Sequence, residues 1–277
     1  MITGKTTLIA HLGYPTATFK APMIYNPYFD KAGIDAVVVP MGVRAEDYPS
    51  VLKELFKLTD MHGALVTMPH KITRVQLADE VTPTATIAGS ANALLKRADG
   101  TLLADMFDGA GFVRGVERKG RKLAGADALV VGSGGVGSAI AASLAAAGVN
   151  RIGLFDADPA SAQALGGRLS QHCPRLQVTS GSNDPAGYDL VVNATPLGMY
   201  EGDPLPVDVS RLDPSTFVGE VVMKHAVTRF VKAAEEAGCQ TQVGTDMLFE
   251  QIPAYLEFFG FPSTSPDELR AVARIEY

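Results

Sequence analysis

Cysteine is scarce in this chain. Cys173 and Cys239 are the only two in 277 residues, they lie far apart, and neither sits in a Cys-x-x-Cys pattern. That speaks against a disulfide framework or a redox pair and for buried structural thiols, and no metal site is expected. Positive charge is also short: the formal net charge is -6, which leaves no broad basic surface to neutralise phosphates and excludes nucleic acid as the main partner. Long apolar runs are missing. Residues 1–13 carry Lys5 and an apolar stretch broken by His11, and no window approaches the ~20 apolar residues of a membrane span. A soluble, cytoplasmic protein with a small-molecule ligand, monomeric or homodimeric, is the expectation. Low-complexity tracts and internal repeats are absent as well.

At 47% hydrophobic and 19% charged, a chain of this length buries a substantial core and fits two modest domains. Short β-branched runs alternate with helical patterns throughout, which predicts an α/β fold with largely parallel sheets. In the first third, residues 8–11, 36–39 and 63–67 read as strands, and 22–32, 49–58 and 69–78 as helices opened by proline. A second sheet starts at 128–132, followed by an alanine-rich helix at 138–147 and a strand at 151–155. Residues 159–170 and 227–237 continue as helices, 189–193 and 216–220 as strands, and 246–259 and 266–275 finish the chain as helices.

Gly132-Ser133-Gly134-Gly135-Val136-Gly137 completes a G-x-G-x-x-G pattern directly after the apolar run at 128–131 and before a helix. In that context the first glycine permits a tight turn, the second lets backbone approach a pyrophosphate, and the third lets helix and sheet pack closely. About twenty residues on, Asp156 ends the next strand, where a carboxylate can accept from ribose hydroxyls. Ala157 and Asp158 follow, so two acids and no arginine stand where a 2′-phosphate would sit. Like-charge repulsion then predicts NAD in preference to NADP.

Several segments fall into one order: Val66-Thr67-Met68-Pro69-His70-Lys71, Gly89-Ser90-Ala91-Asn92, Asp108-Gly109, the glycine loop, Asn193-Ala194-Thr195-Pro196-Leu197-Gly198-Met199, and Met247-Leu248 with Gln251. Together they resemble the shikimate/quinate dehydrogenase family over nearly the whole chain. The resemblance implies a substrate domain at 1–108 and 246–277, completed by the C-terminal helices, and a Rossmann domain that binds NAD at 109–245. It implies that Lys71 handles the proton with Asp108 beside it, and that Thr67, Asn92 and Gln251 bond a hydroxylated ring. Thr195, Val221 and Gly244 would line the cofactor. The chemistry agrees, because hydride transfer from a secondary alcohol needs a group to take the hydroxyl proton. A lysine in the first turn of a helix opened by Pro69 faces the positive end of the dipole, which favours its neutral form.

The family's segment G-x-P followed by Ser-x-Ser-Pro stands here as Gly13-Tyr14-Pro15-Thr16-Ala17-Thr18-Phe19-Lys20-Ala21-Pro22. In the family the two serines bind the substrate carboxylate, whereas the side chains of Phe19 and Ala21 donate nothing. Lys20, Thr16, Thr18 or Lys224 are the candidate replacements. Leu65 stands where the family has asparagine, Met223 where it commonly has tyrosine, and Met106-Phe107 where it has Asn-Thr. All these changes run from polar to apolar, which suggests retained chemistry on a hydroxylated cyclic acid: shikimate, quinate or a less polar relative. The rival readings are a non-catalytic NAD-binding regulatory module and a Rossmann enzyme of other chemistry. Retention of Lys71 with Asp108 disfavours the first, and the segment at 193–199 disfavours the second.

Overall fold

The computed structural model describes residues 2–71 and 77–276. Its first stretch runs β1 (Thr7–Gly13), α1 (Pro22–Ala32), β2 (Ala36–Gly42), α2 (Tyr48–Leu55), β3 (Met61–Val66), β4 (Glu80–Val81), α3 (Pro83–Ala88), β5 (Ala93–Lys96) and β6 (Leu102–Asp105). Then come α4 (Asp108–Arg118), β7 (Asp127–Val131), α5 (Gly135–Ala146), β8 (Arg151–Phe155), α6 (Pro159–His172), β9 (Gln177–Ser180) and β10 (Leu190–Asn193). β11 (Phe217–Glu220), α7 (Arg229–Glu236), β12 (Gln240–Gln242), α8 (Gly244–Phe258) and α9 (Pro266–Val272) complete it. The chain forms two compact units, Met1–Phe107 with Ile252–Tyr277, and Asp108–Gln251.

In the first unit the described strands form a six-stranded sheet in the order β2-β1-β3-β5-β6-β4. It is mixed. β1 pairs in parallel with β2 and β3, whereas β5 runs antiparallel to both β3 and β6. The hairpin of β5 and β6 was not anticipated, because each strand is only four residues long. Its turn nevertheless carries the expected chemistry: Gly100 takes φ +87°, and the Thr101 hydroxyl donates to Asp99 Oδ1 at 2.7 Å. Helix α1 opens at Pro22 and stops at Gly33, a left-handed C-cap. Asn26 pins it to β2 by accepting from Val38 N–H at 2.8 Å and donating to Val38 C=O at 3.0 Å. Helix α9, capped by Ser265, packs on α1. Of the helix expected at 69–78, Pro69 to Lys71 form a turn, and 72–76 lie outside the described residues.

The second unit has a wholly parallel sheet in the order β12-β11-β10-β7-β8-β9. That is the doubly wound dinucleotide-binding order, with the reversal of direction between β7 and β10. Residues 128–131 of β7 and 190–192 of β10, at the centre of the sheet, are buried and read as continuous apolar runs. β9 and β12 escaped the sequence reading because they are short edge strands in which Val178 is the one apolar residue, Gln-Val-Thr-Ser and Gln-Thr-Gln. No helix among the described residues is long and apolar enough to cross a membrane, and no group of His, Cys, Asp and Glu among them could hold a metal ion.

Candidate active site

Two loops leave the carboxyl ends of β7 and β10 side by side at the switch point of the second sheet, where open α/β sheets bind ligands. Gly132 has φ +106°, and a Cβ there would lie 2.6 Å from the Ala194 carbonyl oxygen. Gly137, in the first turn of α5, passes so close that a Cβ would sit 1.9 Å from Gly132 O. Around Gly134, which caps α5, a Cβ would meet nothing within 4 Å. Two glycines are thus required by close packing, and the third leaves room where helix N–H groups face outward. Ser133 Oγ is buried without a partner. A dinucleotide pyrophosphate fits this donor set, with the Gly134–Val136 backbone and Ser133 as the residues that would hold it.

Asp156 shapes the loop. Its Oδ2 accepts from Ser133 N–H at 2.6 Å and its Oδ1 from Asp158 N–H at 2.9 Å. Asp158 caps α6, accepting from Ala160 N–H at 3.1 Å and from the Ser161 hydroxyl at 2.8 Å. Ala157 between them is exposed.

The second loop hangs on a buried carboxylate that sequence reasoning missed. Glu220, fully buried at the end of β11, accepts from Val221 N–H at 2.8 Å and Val222 N–H at 2.9 Å through Oε1. Thr228 donates to Oε2 at 2.8 Å, and Asn193 Nδ2 reaches both oxygens. Desolvation pushes this carboxyl above the usual range, and the donors only partly offset it. Asn193 also donates to Leu197 C=O, while its Oδ1 accepts from the amide and hydroxyl of Thr195. Glu220 and Asn193 therefore fix Thr195 beside Gly132, and Val221 beside Gly244, where a Cβ would lie 2.9 Å from Val221 O. Met223 follows, half-buried. Lys224 lies over the Tyr200 ring at 4.0 Å, so its charge is held there.

Asp108 opens α4 and is buried. Gly109 and Gly111, on that helix, are demanded by neighbours. A Cβ at Gly109 would meet Ala139 O of α5 at 2.0 Å, and one at Gly111 would meet the Cβ of Gln251 on α8 at 2.7 Å. Since residues three apart share a helix face, Gln251 lies along the side of α4 that carries Asp108.

In the first unit, Thr67 follows β3 and its N–H donates to Leu12 C=O at 2.9 Å. The turn to Lys71 is anchored by His70, which is buried, stacks on Tyr48 at 3.9 Å and bonds Val43 C=O at 2.9 Å. Lys71, half-buried beyond it, accepts through its carbonyl from Ala91 N–H at 2.9 Å. Asn92 is next: its Oδ1 accepts from Phe107 N–H at 2.9 Å. Phe19 stacks on His11 with centroids 4.0 Å apart. Ala21 is a buried residue at the start of α1, so its methyl group belongs to the core. Lys20 turns to the C-terminal segment and donates to the Glu276 carbonyl, which accounts for one of the cations considered as carboxylate anchors.

A family model described as the shikimate dehydrogenase substrate binding domain matches residues 12–94. Another, the ThiF family, matches 112–166, the span of the glycine loop. A shikimate dehydrogenase (NADP(+)) from Rubrobacter xylanophilus is 35% identical, covering 90% of this chain and 89% of its own. One of the same name from a Ruegeria species is 32% identical over 94% and 95%. Among solved structures, the quinate dehydrogenase of Corynebacterium glutamicum in complex with NAD is 30% identical with a TM-score of 0.85, covering 96% of this chain and 98% of its own. The NADP(+) names of the relatives overturn the expectation of NAD in preference to NADP, and point to NADP. The physical reason lies in the acids from which that expectation came. Asp156 and Asp158 spend their oxygens on the glycine loop and on the α6 cap, so their presence follows from local structure and is no signature of a dinucleotide. With the crevice, the ordered motifs and these relatives together, the chain belongs to the shikimate dehydrogenase family, as an alcohol dehydrogenase of the shikimate/quinate type.

Proposed function

We propose that this enzyme interconverts the secondary alcohol of a hydroxylated cyclic acid and its ketone with NADP, and that Lys71 exchanges the hydroxyl proton with Asp108 orienting it. One observation carries the reading. Lys71 C=O is bonded to Ala91 N–H, the adjacent Asn92 holds Phe107 N–H through Oδ1, and Asp108 is the next residue. Two hydrogen bonds thus tie Lys71 to Ala91, and Asn92 to the residue before Asp108, along the chain of the first unit. Bound at the glycine loop, the nicotinamide dinucleotide supplies or accepts the hydride. Lys71 then takes the proton as the alcohol becomes ketone, or returns it in reverse, a general acid/base role worth typically 10²–10⁴-fold. Thr67 and Gln251 bond ring hydroxyls. Where relatives are described as acting on shikimate or quinate, Phe19 in place of a serine favours a substrate less polar at that end. The test is steady-state kinetics on a panel of hydroxylated cyclic acids with NADP+. Lys71→Ala should lose kcat with little change in KM, and a loss confined to KM refutes the role given to Lys71.

A further inference from the structure

Between Leu8 and Leu12, β1 is apolar except at His11, where an imidazole interrupts Leu8-Ile9-Ala10 and Leu12. His11 is 8% exposed and its Nδ1 is buried with no hydrogen-bond partner. A buried polar atom left unsatisfied costs on the order of 1–3 kcal/mol, so a ring retained there calls for a partner that arrives with a ligand. The surroundings say which ligand. Side chains alternate along a strand, and paired residues of parallel strands share a face. His11 pairs with Leu65, and Leu12 with Val66, so His11 and Gly13 share a face with Leu65 and Thr67. Phe19 completes the group. Its ring stacks on His11, and its Cζ would lie 2.9 Å from a Cβ at Gly13, as would the Thr67 methyl at 2.5 Å. Any side chain at position 13 would displace that ring.

We propose that His11 is a substrate-contacting, specificity-determining residue, whose Nδ1 bonds a hydroxyl or carbonyl oxygen of the substrate while Phe19 holds the ring in place. The proposal rests on the dehydrogenase reading above, since it gives the substrate end facing β1 a polar but uncharged partner. Burial, and then the charge of Lys71, hold the imidazole near pKa 3, so it stays neutral at physiological pH. A neutral ring offers one N–H donor and one acceptor, which suits a hydroxyl and supplies no countercharge to a carboxylate.

The experiment compares wild type, His11→Leu and His11→Asn with shikimate and quinate as probes, following NADPH absorbance and thermal unfolding. His11→Leu keeps the packing and removes the nitrogen. It should lower kcat/KM about tenfold or more, chiefly through KM, as loss of one buried hydrogen bond does, with Tm unchanged or raised. His11→Asn, whose amide reaches the place of Nδ1, should restore part of the loss. Unchanged kinetics in His11→Leu, with wild type active, overturn the proposal alone. So does a loss that tracks Tm and that Asn fails to rescue. Absence of turnover by wild type with both acids overturns the dehydrogenase reading for these substrates, and the role of His11 with it.

Discussion

Replacing Glu220 tests whether a buried carboxylate holds the loops after β10 and β11 together. In Glu220→Ala, Val221 N–H, Val222 N–H and the Thr228 hydroxyl lose their acceptor, while Asn193 Nδ2 keeps Leu197 C=O. Three orphaned donors at roughly 1–3 kcal/mol each put the loss near 3 kcal/mol at the low end, or about 6–12 °C in Tm for a protein of this size. Glu220→Gln is milder. Its oxygen still serves both amides, and Thr228 can turn to accept, so only the proton of Asn193 meets an amide group, at about 1–2 kcal/mol. The pH dependence carries a sign. Burial raises this carboxyl in the folded state, so its contribution is fully present below the unfolded value and is lost as pH rises through the folded one. The cost of Glu220→Gln should therefore be greater near pH 4 than at neutrality. Guanidinium unfolding at the two pH values and calorimetric titration with NADP+ read both effects. Glu220→Ala with wild-type Tm and wild-type NADP+ affinity would refute the reasoning.

Other expectations follow from the same contacts. Gly137→Ala places a methyl group 1.9 Å from Gly132 O, so it should weaken NADP+ binding at least tenfold by titration, because backbone must shift where the pyrophosphate sits. Asp156→Ala frees Ser133 N–H and should also weaken NADP+; tighter binding would mean that the acid had been repelling the 2′-phosphate. His11 is depressed to about 3, so the unfolded chain binds its proton first as pH falls below 6.5. Wild-type stability should then fall by up to about 1.4 kcal/mol per pH unit from this group, and His11→Leu should lose that part of the slope in acid unfolding curves.

The sequence made the second unit legible where packing leaves a residue no choice. Gly132 and Gly137 are glycines because backbone occupies the space of their side chains, and the buried stretches 128–131 of β7 and 190–192 of β10 read as unbroken apolar runs. What escaped was non-local. β5 and β6 are stabilised by their hairpin and by β3 more than by their own four residues each. Glu220 looked like an ordinary acid after a valine-glycine pair, since its donors come from residues 193, 221, 222 and 228. His70 passed as part of a motif, although its stacking on Tyr48 anchors the turn that presents Lys71. The choice of dinucleotide failed for a related reason: charge was counted at Asp156 and Asp158, but not the amides that already neutralise part of it.

The central claim is that Lys71 moves the proton of an alcohol oxidised with NADP. Single-turnover rates for wild type and Lys71→Ala, at saturating NADP+ and the best substrate of the panel, measure it directly. A chemical step slowed about 10²-fold or more, with NADP+ affinity and Tm unchanged, is the predicted result. An unslowed step in a folded, NADP+-binding Lys71→Ala variant would contradict it.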